Sequence, residues 1–288
     1  MRLARARSGE IVSCDSQQVY RGLDLGTAKP SPQERREVPH HLLDVVEPDA
    51  AFSAADYARL ARAALADVRR RGSLAIVAGG TGLYLRALLA GLFEGPPRDQ
   101  ALRRRLQAIA ERHGDERLHR MLRRVDAAAA ARIDPHDRVR VVRALEVFRV
   151  TGRAITVQQG EGARPLEGFR PFLVGLRPGR GELRRAVEAR TSAMLAGGLL
   201  DEVRALLARR LSPGLRSLQS IGYRQALQVL NGELTAAEAE GAIVTETMRL
   251  AKRQLTWFRH QQPGLRWFEE PETALRAILA WLDQGAGG

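Results

Sequence analysis

Hydrophobic and polar positions along the first hundred residues predict strands and helices in turn. A short apolar run within 10–15 and a continuous one at 73–78 each predict a buried strand. Residues 53–71 predict a helix, because apolar side chains recur every three or four positions behind a Ser/Asp capping box. A second helical pattern covers 83–92. This order of elements predicts an α/β fold with a parallel sheet.

The pattern changes after residue 96, which predicts three segments. Residues 97–165 carry helical patterns rich in Arg and Ala, and the chain becomes loop-like over 151–168. We therefore expect a helical insertion domain at 97–165 between two parts of one α/β domain, 1–96 and 166–288. The elements expected in the last part are a strand within 169–178, helices at about 180–196, 199–210, 219–230, 235–261 and 271–284, and a short strand at 265–268.

Composition excludes several classes of protein. The chain has 288 residues, of which 44% are hydrophobic and 27% charged, an ordinary globular balance. No apolar run reaches the ~18 residues of a membrane helix, and the first ten residues lack the apolar core of a signal peptide. The single Cys14 cannot form an internal disulfide. A cytoplasmic protein is therefore expected.

The formal net charge is +13 and the isoelectric point is about 11.1. Only Lys29 and Lys252 are lysines among the 46 basic residues. Genome composition can explain the choice of Arg over Lys, but it cannot explain an excess of positive charge. The excess favours a polyanionic partner, most simply nucleic acid, and the alternative is a basic surface without a partner.

Polar groups follow both predicted strands at their carboxyl ends, where open parallel sheets bind ligands. The first strand is followed by Asp-Ser-Gln-Gln at 15–18, and the strand at 73–78 by Gly-Gly-Thr-Gly at 79–82. A carboxylate there suits a general base or a metal ligand, and the amides suit a nucleobase edge. Glycines before a helix suit a phosphate. Ordinary turn chemistry without a ligand remains the alternative for both segments.

Six segments together resemble the tRNA dimethylallyltransferases, in order from about residue 3 to about residue 260. They read SCDSQQVYRGLDLGTAKPSPQERREVPHHLLD, FSAADY, IVAGGTGLYLRALLAGL, RALEVFRVTGR, SIGYRQA and AKRQLTWFR. The resemblance implies a P-loop-NTPase-like core with a helical insertion. It also implies transfer of a dimethylallyl group from dimethylallyl diphosphate to N6 of adenosine 37, beside the tRNA anticodon. The implied cofactor is Mg²⁺, the implied RNA partner is the anticodon stem-loop, and a monomer without membrane contact is expected.

The resemblance also implies roles for individual residues. Asp15 matches the general base at N6, Thr81 matches a threonine near the bridging oxygen of the diphosphate, and Arg190 matches a diphosphate-contacting arginine. Gly79 and Gly80 complete the implied diphosphate site. The residues implied to face tRNA are Asp15, Ser16, Gln17, Gln18, Arg103, Arg140, Arg143, Gln219, Gly222, Tyr223, Arg224, Arg249 and Arg253. Of these, Tyr223 could stack on a base and Arg224 could pair with phosphate, while a solvated charge is the alternative for each residue taken alone.

No residue is predicted as a metal ligand. The adjacent His40 and His41 lack a Cys partner and a zinc-type spacing, so capping or packing is expected of them.

One implied motif does not occur in this sequence. The resemblance implies a phosphate-binding loop, G-x-x-x-x-G-K-[ST], before Asp15, which would supply N–H groups, a lysine and a hydroxyl ligand for Mg²⁺. A start assigned downstream of the true one and a truncated copy are both open explanations. We therefore expect the chain as given to be impaired in diphosphate binding. An inactive tRNA-binding remnant and a P-loop small-molecule kinase relative remain as alternative functions.

Overall fold

The computed structural model describes residues 1–93, 95–161 and 164–285. The strands within them are β1 (Gly9–Ser13), β2 (His40–His41), β3 (Leu74–Ala78), β4 (Val174–Leu176) and β5 (Arg266–Phe268). The helices are α1 (Arg2–Ala6), α2 (Pro32–Glu37), α3 (Ala54–Arg70), α4 (Gly82–Ala90), α5 (Gln100–His113), α6 (Asp115–Val125), α7 (Ala127–Arg132), α8 (Arg138–Thr151), α9 (Ile155–Glu161), α10 (Arg180–Ala196), α11 (Leu199–Ala208), α12 (Tyr223–Leu230), α13 (Ala236–Gln261) and α14 (Pro271–Gly285).

The chain divides into two compact units. One consists of Met1–Leu85 together with Glu167–Gly288, and the other is Arg86–Leu166. The first boundary falls inside α4, earlier than the predicted boundary at residue 96, because the helix that begins at the glycine loop continues into the second unit. None of the described helices is both long and apolar enough to cross a membrane.

All strands of the first unit run parallel to their neighbours. β1 lies between β2 and β3, with Ile11 opposite His40 and Ser13 opposite Ala78. β4 pairs with β5 in a separate two-stranded sheet. Every residue of β1 is buried, as expected for a central parallel strand. The predicted order of strand, helix, strand and helix is confirmed, although the parallel strands form two sheets in place of one.

The sequence signals at α3 act as predicted. The Ser53 hydroxyl accepts a hydrogen bond from the Asp56 N–H at 3.1 Å, and the Asp56 carboxylate accepts one from the Ser53 N–H at 3.1 Å. This reciprocal cap satisfies two N–H groups that the first turn leaves unpaired. The buried face of α3 includes Tyr57, Leu65 and Val68, so apolar burial holds the helix in place.

The second unit is helical, and its core is formed by side chains of α5, α6, α7 and α8. Leu106, Leu118, Leu122, Val141 and Leu145 are among the buried residues of this core. One face of α8 therefore packs into the core of this unit.

The loop-like prediction for 151–168 is wrong in part, because α9 lies within it. The Asp126 carboxylate accepts hydrogen bonds from the Thr156 N–H at 3.0 Å and the Thr156 hydroxyl at 2.8 Å. Ile155 packs against the core of the second unit. The groups that hold α9 are thus distant in sequence, and the local pattern of the segment could not show them.

A buried carboxylate on β1 links three elements of the first unit. Glu10 is only 5% exposed, and its two oxygens accept hydrogen bonds from the Arg71 guanidinium at 2.8 and 2.7 Å. His41 Nε2 lies 2.7 Å from the same carboxylate. The hydrogen bonds from Arg71 lower the pKa of Glu10 to about 2 despite its burial. His40 Nδ1 lies 2.7 Å from the Val38 carbonyl, so both histidines of the pair make structural contacts.

We expect Glu10→Gln to lower the free energy of unfolding by about 2 kcal/mol at pH 7, because a buried charge-assisted pair is lost. A lowered folded-state pKa stabilises the fold above the unfolded value, 4.5, and this contribution is lost as pH falls toward about 2. The difference between wild type and variant should therefore shrink below pH 4.5 in urea unfolding at pH 7 and pH 3. Glu188→Gln, at an exposed pair with Arg184, is the control and should change little. A difference that stays constant with pH would exclude the electrostatic origin.

Candidate active site

The carboxyl ends of β1 and β3 are joined by backbone hydrogen bonds. The Cys14 N–H donates to the Ala78 carbonyl at 2.7 Å, and the Thr81 N–H donates to the Cys14 carbonyl at 3.1 Å. Parallel pairing thus continues past the last strand residues into both loops. The acidic turn that begins at Asp15 is therefore held against the glycine loop at 79–82, as the sequence predicted.

Close backbone approach explains the first glycine of this loop. A Cβ atom on Gly79 would lie 2.3 Å from the Cys14 carbonyl oxygen, which is far below any contact distance. Gly79 and the Cys14 carbonyl meet backbone to backbone. Neither can therefore move aside without separating the two strand ends.

The Thr81 hydroxyl joins the two loops at their tips. Thr81 Oγ1 accepts a hydrogen bond from the Ser16 N–H at 3.0 Å and donates a long one, at 3.4 Å, to Ser16 Oγ. A hydroxyl proton can rotate, so the Thr81 proton can leave this long bond to Ser16 Oγ for a closer oxygen of a ligand. An anionic ligand oxygen is the partner that such a donor favours.

Asp15 forms a turn with the residues that follow it. Asp15 Oδ1 accepts hydrogen bonds from the N–H groups of Gln17 at 2.7 Å and Gln18 at 3.4 Å. This local bonding fixes the carboxylate in one orientation. Within the described part of the chain, Asp15 Oδ2 accepts no hydrogen bond. One oxygen of a half-buried carboxylate is therefore available to accept a proton from a ligand.

The two glutamines that follow Asp15 have different surroundings. Gln18 is used internally, because its amide accepts from the Ser13 hydroxyl at 2.9 Å and donates to the carbonyls of Thr27 and Ala28 at 3.2 and 3.3 Å. The buried Oε1 of Gln17 has no hydrogen-bond partner among the described residues. Of the two amides predicted to read a base, that of Gln17 is the one with an unsatisfied acceptor.

Helix α13 supports the glycine loop with two residues that the sequence analysis did not assign. Gln254 Nε2 donates to the Gly80 carbonyl at 3.0 Å, and a Cβ on Gly82 would lie 2.2 Å from the Trp257 ring. Both residues belong to the segment AKRQLTWFR, so their membership of a family motif was the available signal.

Aromatic residues pack behind the two strand ends. The rings of Tyr57 and Tyr84 are stacked 4.4 Å apart, and both side chains are buried. Cys14 is also buried, which raises the pKa of its thiol to about 11. The thiol therefore stays protonated near neutral pH and is not a nucleophile.

The interpretation of Tyr223 as a base-stacking residue is corrected. Tyr223 is fully buried at the start of α12, and a Cβ on Gly26 would lie 2.3 Å from its ring. Its hydroxyl donates to Glu202, whose carboxylate also accepts from the Leu25 N–H at 2.8 Å. Burial raises the pKa of Tyr223, so the phenol remains a donor. Gly222, which is also buried, has a φ of +94° that lets the chain turn into α12.

The residues beside this tyrosine have partners of their own. Arg224 forms an ion pair with Glu246 on α13. Gln219 is exposed, and its side-chain N–H donates to the Pro213 carbonyl at 2.9 Å. The segment 219–225 therefore connects loops of the first unit.

Three arginines predicted to face tRNA lie in the second unit. Arg103 Nε and Arg143 Nη1 lie 3.1 and 2.7 Å from the fully buried Glu146 carboxylate, on opposite oxygens. This arrangement ties the start of α5 to α8, so both guanidinium groups have structural partners. Arg140 is exposed and pairs with Asp137 at 2.8 Å, close to the start of α8.

The other predicted cations are exposed on helices of the first unit. Arg190 lies on α10, and Arg249 and Arg253 lie on α13. None of the three forms an ion pair with another residue that the structure describes. Their charges remain available for an anion.

A protein cage for a metal ion is not found in the described part of the chain. No group of three or more His, Cys, Asp or Glu side chains there is arranged to hold an ion. The residues near Asp15 therefore do not fit a metal bound by protein ligands alone.

Comparisons with known proteins show the family of this chain. The model of the IPP transferase family matches residues 18–261, most of the chain. The chain belongs to the IPP transferase family. It is 51% identical over 269 residues to tRNA dimethylallyltransferase 2 of Syntrophus aciditrophicus, covering 93% of this chain and 86% of that relative. The tRNA dimethylallyltransferase of Solibacter usitatus is 46% identical over 289 residues, covering 98% of this chain and 94% of the relative.

Solved structures give the same result. The full-length tRNA isopentenylpyrophosphate transferase of Bacillus halodurans is 35% identical with a TM-score of 0.67, covering 98% of this chain and 90% of that one. A eukaryotic dimethylallyltransferase acting on tRNA is 27% identical with a TM-score of 0.71, covering 89% and 65% of the two chains. The predicted P-loop-NTPase-like α/β class, family and enzyme class are confirmed for this IPP transferase family member.

We expect Gly79→Ala to separate the two loops, because the added Cβ meets the Cys14 carbonyl. The variant should lose about 3 kcal/mol of unfolding free energy. Gly72→Ala is the control: its φ is +71°, but nothing lies within 4 Å of the added Cβ, so a cost of about 1 kcal/mol is expected. Urea unfolding of both variants measures the difference. Equal losses would show that close approach at Gly79 does not constrain the fold.

Proposed function

We propose that this chain transfers a dimethylallyl group from dimethylallyl diphosphate to N6 of adenosine 37 in the tRNA anticodon loop. The observation that carries the proposal is the pairing of two groups on adjacent strand ends. Asp15 has an oxygen available to accept a proton, and the Thr81 hydroxyl proton is engaged within the described part of the chain only by a long, 3.4 Å bond to Ser16 Oγ. A proton acceptor beside a donor for an anion suits alkylation of an amine with a diphosphate leaving group.

Asp15 acts in this proposal as the general base. The lone pair of adenine N6 is delocalised into the ring, so the amine is a poor nucleophile. As N6 forms a bond to the allylic carbon, the bond from that carbon to the diphosphate oxygen breaks, and the N6 proton passes to Asp15. Proton acceptance by a positioned carboxylate typically contributes about 10²–10⁴-fold in rate.

Thr81 and Arg190 act on the leaving group. Negative charge develops on the bridging oxygen as the diphosphate departs, and the Thr81 hydroxyl donates a hydrogen bond to it. The exposed guanidinium of Arg190 supplies positive charge for the other oxygens. Loss of one such donor typically costs on the order of 10²–10³ in rate.

Adenine is recognised in this proposal by the turn that begins at Asp15, the general base. The unsatisfied Oε1 of Gln17 is placed to accept a hydrogen bond, and the Ser16 hydroxyl adds a second polar contact. Gln18 contributes indirectly, because it holds the neighbouring loop at Thr27 and Ala28.

Mg²⁺ fits the proposal as an ion that arrives with the diphosphate, since magnesium is commonly bound by few carboxylates and by substrate phosphates. The chain is proposed to act as a monomer in the cytoplasm, where its tRNA substrate is found. The family match favours the transferase over the small-molecule kinase relative.

The proposal predicts that Asp15→Asn lowers the single-turnover rate of transfer about 10²-fold or more, because Asn cannot accept the N6 proton. The affinity for tRNA should change less than about 3-fold, since the amide keeps the size of the carboxylate. Transfer of labelled dimethylallyl to tRNA, followed by nucleoside mass analysis, measures the rate and the modified position. Asp49→Asn, at an exposed carboxylate, is the matched control and should behave as wild type.

Two outcomes would contradict the proposal in different ways. A near-wild-type rate for Asp15→Asn would remove Asp15 from the role of base. Binding of tRNA without any transfer by the wild-type chain would favour the alternative of an inactive tRNA-binding remnant.

A further inference from the structure

A buried lysine lies in the loop beside the Asp15 turn, and the proposed chemistry does not use it. The Lys29 side chain is only 1% exposed. Its ammonium donates to the Tyr20 carbonyl at 2.6 Å, to Asp44 Oδ1 at 2.6 Å and to Asp24 Oδ1 at 2.8 Å. An ammonium has three N–H donors, so every donor of Lys29 is satisfied. Because a buried charge is costly unless it is paired in this way, the fold holds this cation in one place.

Two carboxylates offset the charge of Lys29 unequally. Asp24 is exposed, so its ion pair with Lys29 is weak. Asp44 is half-buried, and its second oxygen accepts a hydrogen bond from Arg35 Nη1 at 2.7 Å. Burial opposes ionisation of Asp44, but the hydrogen bonds from Lys29 and Arg35 hold its pKa below the ordinary value. Asp44 is therefore the main counterion of Lys29.

The backbone near this ion pair adopts conformations that residues with a Cβ atom rarely adopt. Ala28, Leu42 and Asp44 have φ angles of +49°, +63° and +55°. Such strained conformations persist only where the surrounding contacts enforce them. The ion pair joins Asp44 to Lys29, the residue that follows Ala28, so it constrains the backbone at two of the three positions.

The same lysine reaches the turn that carries the proposed base. The Tyr20 N–H donates to the Gln17 carbonyl at 3.2 Å, and the Tyr20 carbonyl accepts from Lys29. The side-chain amide of Gln18 donates to the Ala28 carbonyl at 3.3 Å. Two contacts therefore tie the end of the turn to Ala28 and Lys29. Gln17, with its unsatisfied Oε1, directly precedes the residues that make these contacts.

We propose that Lys29 is a positioning residue: its bond to the Tyr20 carbonyl, anchored by Asp44, fixes the turn that presents Asp15 and Gln17 to the substrate base. That this base is adenine rests on the proposed function. Lys29 is buried and its donors are occupied, so it acts through the turn and not on the substrate. A misplacement of about 1 Å in a catalytic group can cost on the order of 10²-fold in rate, so a small movement of the turn is sufficient.

The first test is hydrogen exchange in Lys29→Met, which keeps the length of the side chain and removes the ammonium. Amides of the segment 15–24 should exchange about 5-fold faster or more than in wild type, because the Tyr20 carbonyl loses its donor and the segment opens more often. The control is Glu10→Gln, which removes a buried charge near the opposite end of β1 and should leave exchange of this segment within about 2-fold of wild type. No ligand is added, so this result does not depend on the proposed function.

A second variant separates the contact with Tyr20 from the loss of charge pairing. Lys29→Met alone leaves the half-buried Asp44 without its main cation, which by itself lowers the free energy of unfolding. Lys29→Met with Asp44→Asn removes both charges, and the new amide oxygen can still accept from Arg35. The free energy of unfolding should be higher in the double variant than in Lys29→Met. Fast exchange of the segment 15–24 should remain, since the Tyr20 carbonyl still lacks its donor.

The consequence for the substrate base is measured as a ratio of two affinities. Two anticodon stem-loops are compared, one with adenosine and one with an abasic site at the position of modification. In both Lys29 variants the preference for adenosine should fall about 5-fold or more, while affinity for the abasic stem-loop stays within about 2-fold of wild type. Single-turnover transfer at saturating tRNA should fall about 10-fold or more in both, and Glu10→Gln should match wild type in ratio and rate.

Four results would overturn the inference. Wild-type exchange of the segment 15–24 in Lys29→Met would show that the lysine does not hold the turn, and an unchanged preference for adenosine would show that movement of the turn does not reach the base. Equal changes in Glu10→Gln would show a general effect of lower stability. Slow exchange in the double variant would assign the effect to the unpaired Asp44 carboxylate.

Failure of the proposed function gives a different result. Faster exchange in both Lys29 variants, together with a wild-type chain that neither transfers nor prefers adenosine, would support the role of Lys29 in holding the turn and contradict the proposed function.

Discussion

The structure depends on one backbone constraint, the continuation of parallel pairing beyond the last residues of β1 and β3. The Cys14 N–H to Ala78 carbonyl bond and the Thr81 N–H to Cys14 carbonyl bond bring two loops into contact that are more than sixty residues apart in sequence. A side chain at position 79 would prevent this contact. The proposed base and the proposed hydroxyl donor owe their proximity to these bonds, and the Ser16 N–H to Thr81 hydroxyl bond fixes their orientation.

A second set of contacts connects this site to the rest of the first unit. Gln18 holds the carbonyls of Thr27 and Ala28, and the adjacent Gly26 packs beneath the ring of Tyr223. Glu202 accepts from both the Tyr223 hydroxyl and the Leu25 N–H. The loop at 25–28 thus contacts family motifs that are widely separated in sequence. Their shared role is to hold that loop, which a reading of each motif alone does not reveal.

Several elements of the fold and part of the candidate site could be predicted from the sequence, for identifiable reasons. The capping box at Ser53 and the continuous apolar run at 73–78 are local signals, and both elements formed where they indicated. The proximity of Asp15 and Thr81 followed from the rule that parallel strands end at the same edge. Side-chain environment was less predictable. Tyr223 beside an arginine suggested stacking, but its burial depends on Gly26 and Glu202, which no local pattern connects to it.

The same limit applies to the charged residues. The sequence indicated that Arg103 and Arg143 face solvent. In the structure both pair with Glu146, a carboxylate on the same helix as apolar residues. Arg180, Arg249 and Arg259 show the reverse case, because they come from two helices, α10 and α13, and only folding places them around one concave surface. Spacing along a helix predicts which residues share a face, but it does not predict which face meets a partner.

The central claim is that the two joined loops hold the reacting atoms. The most direct measurement is a crystal structure of the chain with an anticodon stem-loop and an unreactive thio analogue of dimethylallyl diphosphate. The account predicts adenine N6 within about 3.2 Å of an Asp15 carboxylate oxygen, and the Thr81 hydroxyl within hydrogen-bond distance of the leaving-group end of the analogue. An adenine bound elsewhere, with Asp15 facing solvent, would contradict it.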